Sequence, residues 1–194
     1  NKINEITGIY NRRVMFADVI KNKFLSKRGN FLFLGLDRLA KAYSEHSREY
    51  VESLIEYCGN LLETYASEEI RVYHVEDDVF MLYTTQAGEK YAQELFNEIA
   101  GKLQEKVTVT GVAFSGGKMS FDEKEMYKTA IAELADAKTV SRSTLTFLTK
   151  EDIDEKYEEV SLTEEIVTNI ANDFNGFYAV YQPQIQHGSF EIIG

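Results

Sequence analysis

Apolar positions along this chain alternate between helical and strand-like spacing. After Thr7-Gly8, Phe16, Val19, Ile20 and Phe24 mark one face of a predicted helix. Phe31-Leu32-Phe33-Leu34-Gly35-Leu36 is a continuous apolar run, which predicts a central strand covered on both faces. Val51, Leu54, Ile55, Cys58, Leu61, Leu62 and Tyr65 recur at spacings of three and four and predict a long amphipathic helix. From Arg71 to Tyr83, two apolar-rich segments flank an acidic tip, the pattern of a β-hairpin. A helix over 89–103 carries Leu95, Ile99 and Leu103, and Val107 to Phe114 alternates as a strand that Gly116-Gly117 ends. A further helix over 122–140 precedes a short strand at 145–148. Strands separated by helices, with one hairpin, predict an α/β fold: a mixed sheet of about five strands flanked by helices.

After Thr149 the pattern changes. Residues 150–159 are densely charged and predict an exposed connector. Ser161-Leu162-Thr163-Glu164 has the form of a capping box, opening a helix to about Asn172. Asn175-Gly176 and His187-Gly188 read as turns around strand-like residues 177–185, followed by a further strand beginning at 190. A lone hairpin is marginal in water, so its partner strands are expected outside this sequence. With no methionine at Asn1 and an abrupt stop at Gly194, the chain reads as a piece of a longer protein. Three parts are expected: a domain over 1–149, a charged linker and helix over 150–175, and the start of a second domain over 176–194.

Charge narrows the choice of partners. The formal net charge is −11, from 21 basic and 32 acidic residues. This opposes a sequence-independent grip on a nucleic acid polymer and contact with an anionic membrane surface. A nucleotide would need a cation or a local basic cluster. The single cysteine, Cys58, fits a reducing cytoplasm and reads as a buried small hydrophobe. No segment reaches the roughly 20 apolar residues that span a bilayer, so any membrane anchor would lie outside this fragment. His46 and His187 fall in predicted exposed segments, and no two of the three histidines have metal-ligand spacing.

Four blocks carry a family resemblance. Asn4-Glu5-Ile6-Thr7-Gly8-Ile9-Tyr10-Asn11-Arg12-Arg13 resembles the opening D-x-L-T-G-L-x-N-R-R of GGDEF domains, the diguanylate cyclase family. Glu76-Asp77-Asp78-Val79-Phe80 stands in place of the name-giving Gly-Gly-Asp-Glu-Phe. Ala130-Ile131-Ala132-Glu133-Leu134-Ala135-Asp136-Ala137-Lys138 is similar to A-D-x-A-L-Y-x-A-K, and Ser141-Arg142-Ser143 to G-R-N. The tail, from Phe177 through Gln182-Pro183-Gln184 to Gly194, resembles the first two strands of an EAL domain, the cyclic di-GMP phosphodiesterase family.

The resemblance implies two GTP molecules condensed across a homodimer, with Mg²⁺ held by one carboxylate from the first core strand and one from the hairpin. The strand position falls on Gly35 and the hairpin position on Asp78. With half the pair missing, Mg²⁺ is expected to bind weakly or not at all. Asp37, two residues on and about 6.6 Å further along an extended strand, could form a displaced metal site with Asp78. Its plainer reading is a strand end that caps the next helix. Glu76 and Asp77 place negative charge where glycines let the backbone approach phosphates. Val79 replaces an acidic position, so no catalytic set remains. For nucleotide binding, the resemblance points to Glu52 beside Tyr43, and to Lys138 and Arg142, which at a spacing of four would share a helix face. The R-x-x-D product-inhibition motif would fall on Ser67 to Ile70 and is absent.

The expected function is that of a catalytically degenerate GGDEF domain. It would act as a regulatory or interaction module, with GTP as a ligand, for an attached EAL domain. The alternatives are an active diguanylate cyclase with its metal at Asp37 and Asp78, and a ligand-free dimerisation domain.

Overall fold

The structure, a computed structural model, describes residues 1–117, 119–172, 176 and 178. Five strands form its sheet: β1 (Asn30–Leu36), β2 (Ile70–Glu76), β3 (Val79–Thr84), β4 (Val109–Ser115) and β5 (Leu145–Phe147). Their order is β2-β3-β1-β4-β5. β1 runs antiparallel to both β3 and β4, whereas β4 and β5 are parallel. The helices are α1 (Arg12–Lys21), α2 (Leu39–Glu45), α3 (Arg48–Glu63), α4 (Glu89–Leu103), α5 (Glu123–Val140) and α6 (Lys150–Ala171). The mixed α/β sheet predicted from the sequence is therefore observed.

β1 explains the architecture. All seven of its residues are buried. Strand alternation sends Phe31 and Phe33 into one apolar core with Met15, Val19, Val112, Phe114, Met126 and Leu134. Leu32, Leu34 and Leu36 enter the opposite core with Val51, Ile55, Cys58, Phe96 and Ile99. Each fully buried Leu or Phe contributes about 1.5–3 kcal/mol of transfer free energy. Gly35 shares the face of Phe31 and Phe33. It therefore looks onto α5, with no side chain of its own.

Helix ends follow local chemistry. The Asn11 side chain caps α1 by accepting from the Arg13 and Val14 amides. Asp122 and Glu125 form a capping box at α5. In α1, Met15 and Val19 are the buried positions, and Ile20, expected on the apolar face, is 59% exposed. Phe24 is buried, but from a 3₁₀ turn after the helix.

The chain divides into two compact units, Asn1–Val160 and Ser161–Gly194. Residues 150–159, expected as an exposed connector, are helical and begin α6. Ile153 is 2% exposed and packs in the α5-side core. The box that starts α6 is Thr149 with Asp152: the Thr149 amide donates to Asp152 and the Asp152 amide donates to Thr149 Oγ1. Ser161 lies inside the helix and does not open one. A buried apolar residue within a charged stretch moved the boundary. The expected turns and strands of residues 173–194 lie outside the described residues, apart from Gly176 and Tyr178.

Candidate functional site

The hairpin joins β2 to β3 through a two-residue turn, Asp77-Asp78, with a register shift between His74 and Glu76. This turn meets the end of β1. The Leu36 amide donates to the Asp78 carbonyl at 2.8 Å. From α5, Lys138 Nζ donates to the Leu36 carbonyl at 3.1 Å and to Asp78 Oδ2 at 2.7 Å. A closed ring of three contacts thus ties strand, turn and helix. Its ammonium sits beside Gly35, where an added Cβ would lie 2.6 Å from Lys138 Nζ and 3.2 Å from Leu134 Cδ2. The absent side chain at Gly35 makes the space that the lysine fills.

Asp37 is 6% exposed. It accepts hydrogen bonds from Thr110 Oγ1 at 2.7 Å, Thr108 Oγ1 at 2.8 Å and Ser143 Oγ at 3.4 Å. The Ser143 amide in turn donates to Thr110 Oγ1. Asp37 does not cap α2: the N-cap is Arg38, in the left-handed region at φ 57°, with no side-chain cap bond. The Asp37 carboxylate instead pins the segment after α5 to β4.

Glu76 turns away from the Asp77-Asp78 tip. Tyr127 donates to its Oε1 at 2.5 Å, and Arg12 donates to the Tyr127 hydroxyl at 3.2 Å while lying 3.6 Å from Glu76. Arg12 also stands over the Tyr127 ring. Burial, and then Glu76, raise the Tyr127 pKa, and the bond to Tyr127 raises that of Arg12. Glu76 is thereby engaged by Arg12 of α1 and Tyr127 of α5. His74, 2% exposed, stacks on Phe80. Its Nδ1 lies 3.0 Å from Thr7 Oγ1 and its Nε2 3.4 Å from the Asp77 carbonyl. Burial lowers its pKa.

The remaining candidates do not converge on Lys138. Glu52 pairs with Arg48 at 2.6 Å along α3 and lines a cleft of about 800 Å³ rich in glutamates, including Glu5, Glu49 and Glu56. Tyr43 is exposed on α2. Arg142 lies beyond the end of α5, where Ser141 is the C-cap, so Lys138 and Arg142 share no helix face. Val79 is buried in β3. The structure brings together Gly35, Leu36, Asp78 and Lys138, while Asp37 is bonded to hydroxyls and Glu52 to Arg48.

A divalent cation at this corner would draw on the oxygens of Leu36 and Asp78 and on a carboxylate at position 35. The first two already accept from an ammonium, position 35 has no side chain, and Asp37 is bonded to hydroxyls. The residues present do not fit such an ion. Among the described residues, no group of three or more His, Cys, Asp or Glu is placed to hold a metal. Sequence reasoning missed the Leu36 carbonyl, Tyr127 and the three hydroxyls around Asp37. Only Arg12 carried a signal, as part of the Asn11-Arg12-Arg13 block.

No family model and no curated protein matches the sequence. Solved structures do match. The GGDEF domain of DgcB from Caulobacter crescentus, in complex with c-di-GMP, gives a TM-score of 0.64 at 13% identity, over 75% of this chain and 92% of that one. The FimX GGDEF domain from Pseudomonas aeruginosa gives 0.65 at 15% identity, over 76% and 99%. The S helix-GGDEF-EAL piece of Vibrio cholerae LapD, bound to c-di-GMP, gives 0.67 at 14% identity; the match covers 87% of this chain but only 42% of that one. The fold is that of GGDEF domains. Among the described residues, no helix is long and apolar enough to cross a membrane.

Proposed function

We propose that this domain is a catalytically silent module of cyclic di-GMP signalling, with the GGDEF fold, which regulates or positions an attached EAL domain. What carries the reading is the incomplete carboxylate pair. Position 35 is glycine, and Asp37, the nearest substitute, is held by the hydroxyls of Thr108, Thr110 and Ser143. Phosphoryl transfer between nucleotides depends on positioned cations to neutralise developing charge, and this corner supplies one carboxylate, Asp78, already paired with Lys138. Support for the signalling context comes from the resemblance of the four sequence blocks and from the fold.

GTP binding through Glu52, Lys138 and Arg142 belongs to this reading as an allosteric input. Lys138 is paired with Asp78 and Glu52 with Arg48. The domain, dimerised and incubated with GTP and Mg²⁺ or Mn²⁺, is expected to accumulate no cyclic di-GMP; accumulation would overturn the reading. Calorimetry with GTP separates the ligand-binding form, whose heat would weaken in Lys138→Ala, from the ligand-free one.

A further inference from the structure

We propose that Lys138 is an internal cation. In this domain its ammonium closes the hairpin onto β1 by bonding the Leu36 carbonyl and Asp78 Oδ2, oxygens of the kind a divalent ion takes, and Gly35 is the vacancy that admits it. The inference rests on the silent-module reading and sharpens what has replaced the metal.

The geometry is specific. An ammonium is a compact point charge with three donors and no acceptor. Two donors are used, one on the Leu36 carbonyl and one on Asp78 Oδ2. Both acceptors are hard oxygens, one from the backbone and one from a carboxylate, the set that suits Mg²⁺ or Ca²⁺. The Leu36 amide bonds the Asp78 carbonyl, so the same two residues are joined twice, once directly and once through Lys138. The lysine side chain is 20% exposed and Asp78 33%, which leaves the corner open enough for an ion to enter from water. Within it, the ammonium occupies the Leu36 carbonyl and Asp78 Oδ2.

Gly35 and Lys138 are coupled. An aspartate at position 35 would require the flexible lysine terminus to move, because even a Cβ there falls 2.6 Å from Nζ. Restoring the strand carboxylate alone would therefore displace the lysine or pair with it. Exchanging both residues would leave Leu36 O, Asp78 and the new carboxylate around an empty, anionic space. The inference predicts that this double exchange converts the corner into a divalent-cation site, whereas the natural chain has none there.

Mn²⁺, followed by electron paramagnetic resonance, is the probe. The unaltered chain should bind no Mn²⁺ that Asp78→Asn removes, and its thermal midpoint should be the same with and without millimolar Mn²⁺. The Gly35→Asp/Lys138→Ala protein should bind one Mn²⁺ per chain, lose it when Asp78→Asn is added, and gain several degrees in midpoint with the ion. Lys138→Met alone should speed amide exchange at Leu36 by tenfold or more. That readout stands even where the double variant does not fold. Asp78-dependent Mn²⁺ binding by the unaltered chain would overturn the inference. So would a folded double variant that binds no Mn²⁺, or unchanged exchange at Leu36 in Lys138→Met. Asp78-dependent Mn²⁺ binding by the unaltered chain without product from GTP would sink the internal cation and leave the silent module standing; cyclic di-GMP formation by that chain would sink the module itself.

Discussion

Asp37 shows how a carboxylate near a site of interest can serve structure. Its oxygens accept from three hydroxyls, and Thr110, one of the donors, is fully buried. Asp37→Ala strands the Thr110 hydroxyl proton and releases Ser143, at a cost of about 1–3 kcal/mol. Urea denaturation should show this loss, and Asp37→Asn, which keeps one acceptor, should lose less. A displaced metal site would instead make Asp37 essential to an activity that the parent protein possesses. His74 provides a second prediction. Burial lowers its pKa below the ordinary 6.5, so the unfolded chain binds its proton more readily than the folded one. Its contribution to stability is intact above about pH 6.5 and is lost progressively as pH falls from there through the lowered folded value. His74→Gln should flatten the slope of stability against pH below about pH 6.5. At this scale the sequence revealed the empty position at Gly35. It could not reveal what fills it, because Lys138 lies 102 residues beyond Leu36 and side-chain reach across a fold leaves no local pattern.

At the scale of elements, most of the fold was legible. The unbroken apolar run of β1 predicted a strand buried on both faces, and that is its state. The period of Leu95, Ile99 and Leu103 predicted a helix from about Glu89 to Leu103, and α4 is there. α6 was misread because two capping motifs lie within one charged stretch, and only tertiary contact chooses between them. Ile153, which packs in the α5-side core, and Lys156, which bonds Asp136 and Glu159, favour the earlier start. Burial opposes the charge on Lys156, but these two carboxylates outweigh it and raise its pKa. Ile153→Ala should destabilise the protein by about 2–4 kcal/mol, as loss of a buried branched side chain does. Ser161→Ala should stay within about 0.5 kcal/mol of the parent, whereas a true N-cap would lose about 1. Thermal or urea unfolding of the two variants side by side distinguishes the two helix starts.

Across the whole molecule, two apolar cores on opposite faces of one sheet make opening costly. Cys58 is a sensitive reporter of that opening. It is fully buried in the α3-side core, and burial pushes its thiol up to about 12. Neither access nor thiolate is available in the folded state. A thiol reagent at neutral pH should therefore label Cys58 only at the rate of unfolding, and the labelling rate should rise with urea as the folded fraction falls. Labelling at the rate of a free thiol in the absence of denaturant would contradict the burial of α3.

The position of β1 in the sheet also bears on how the molecule assembles. It is the first strand in sequence but the third in space, between β3 and β4. Its two ladders wait for residues 79–84 and 109–115 to arrive, and each closure has a loop-entropy cost before any contact rewards it. The hairpin can form early, since its strands are joined by two residues. Its attachment to β1 through Lys138 must come late, because α5 follows all four of the longer strands. During synthesis the corner at Gly35 therefore stays open to water until α5 docks. The contact that seals the site waits until the growing chain has reached residue 138.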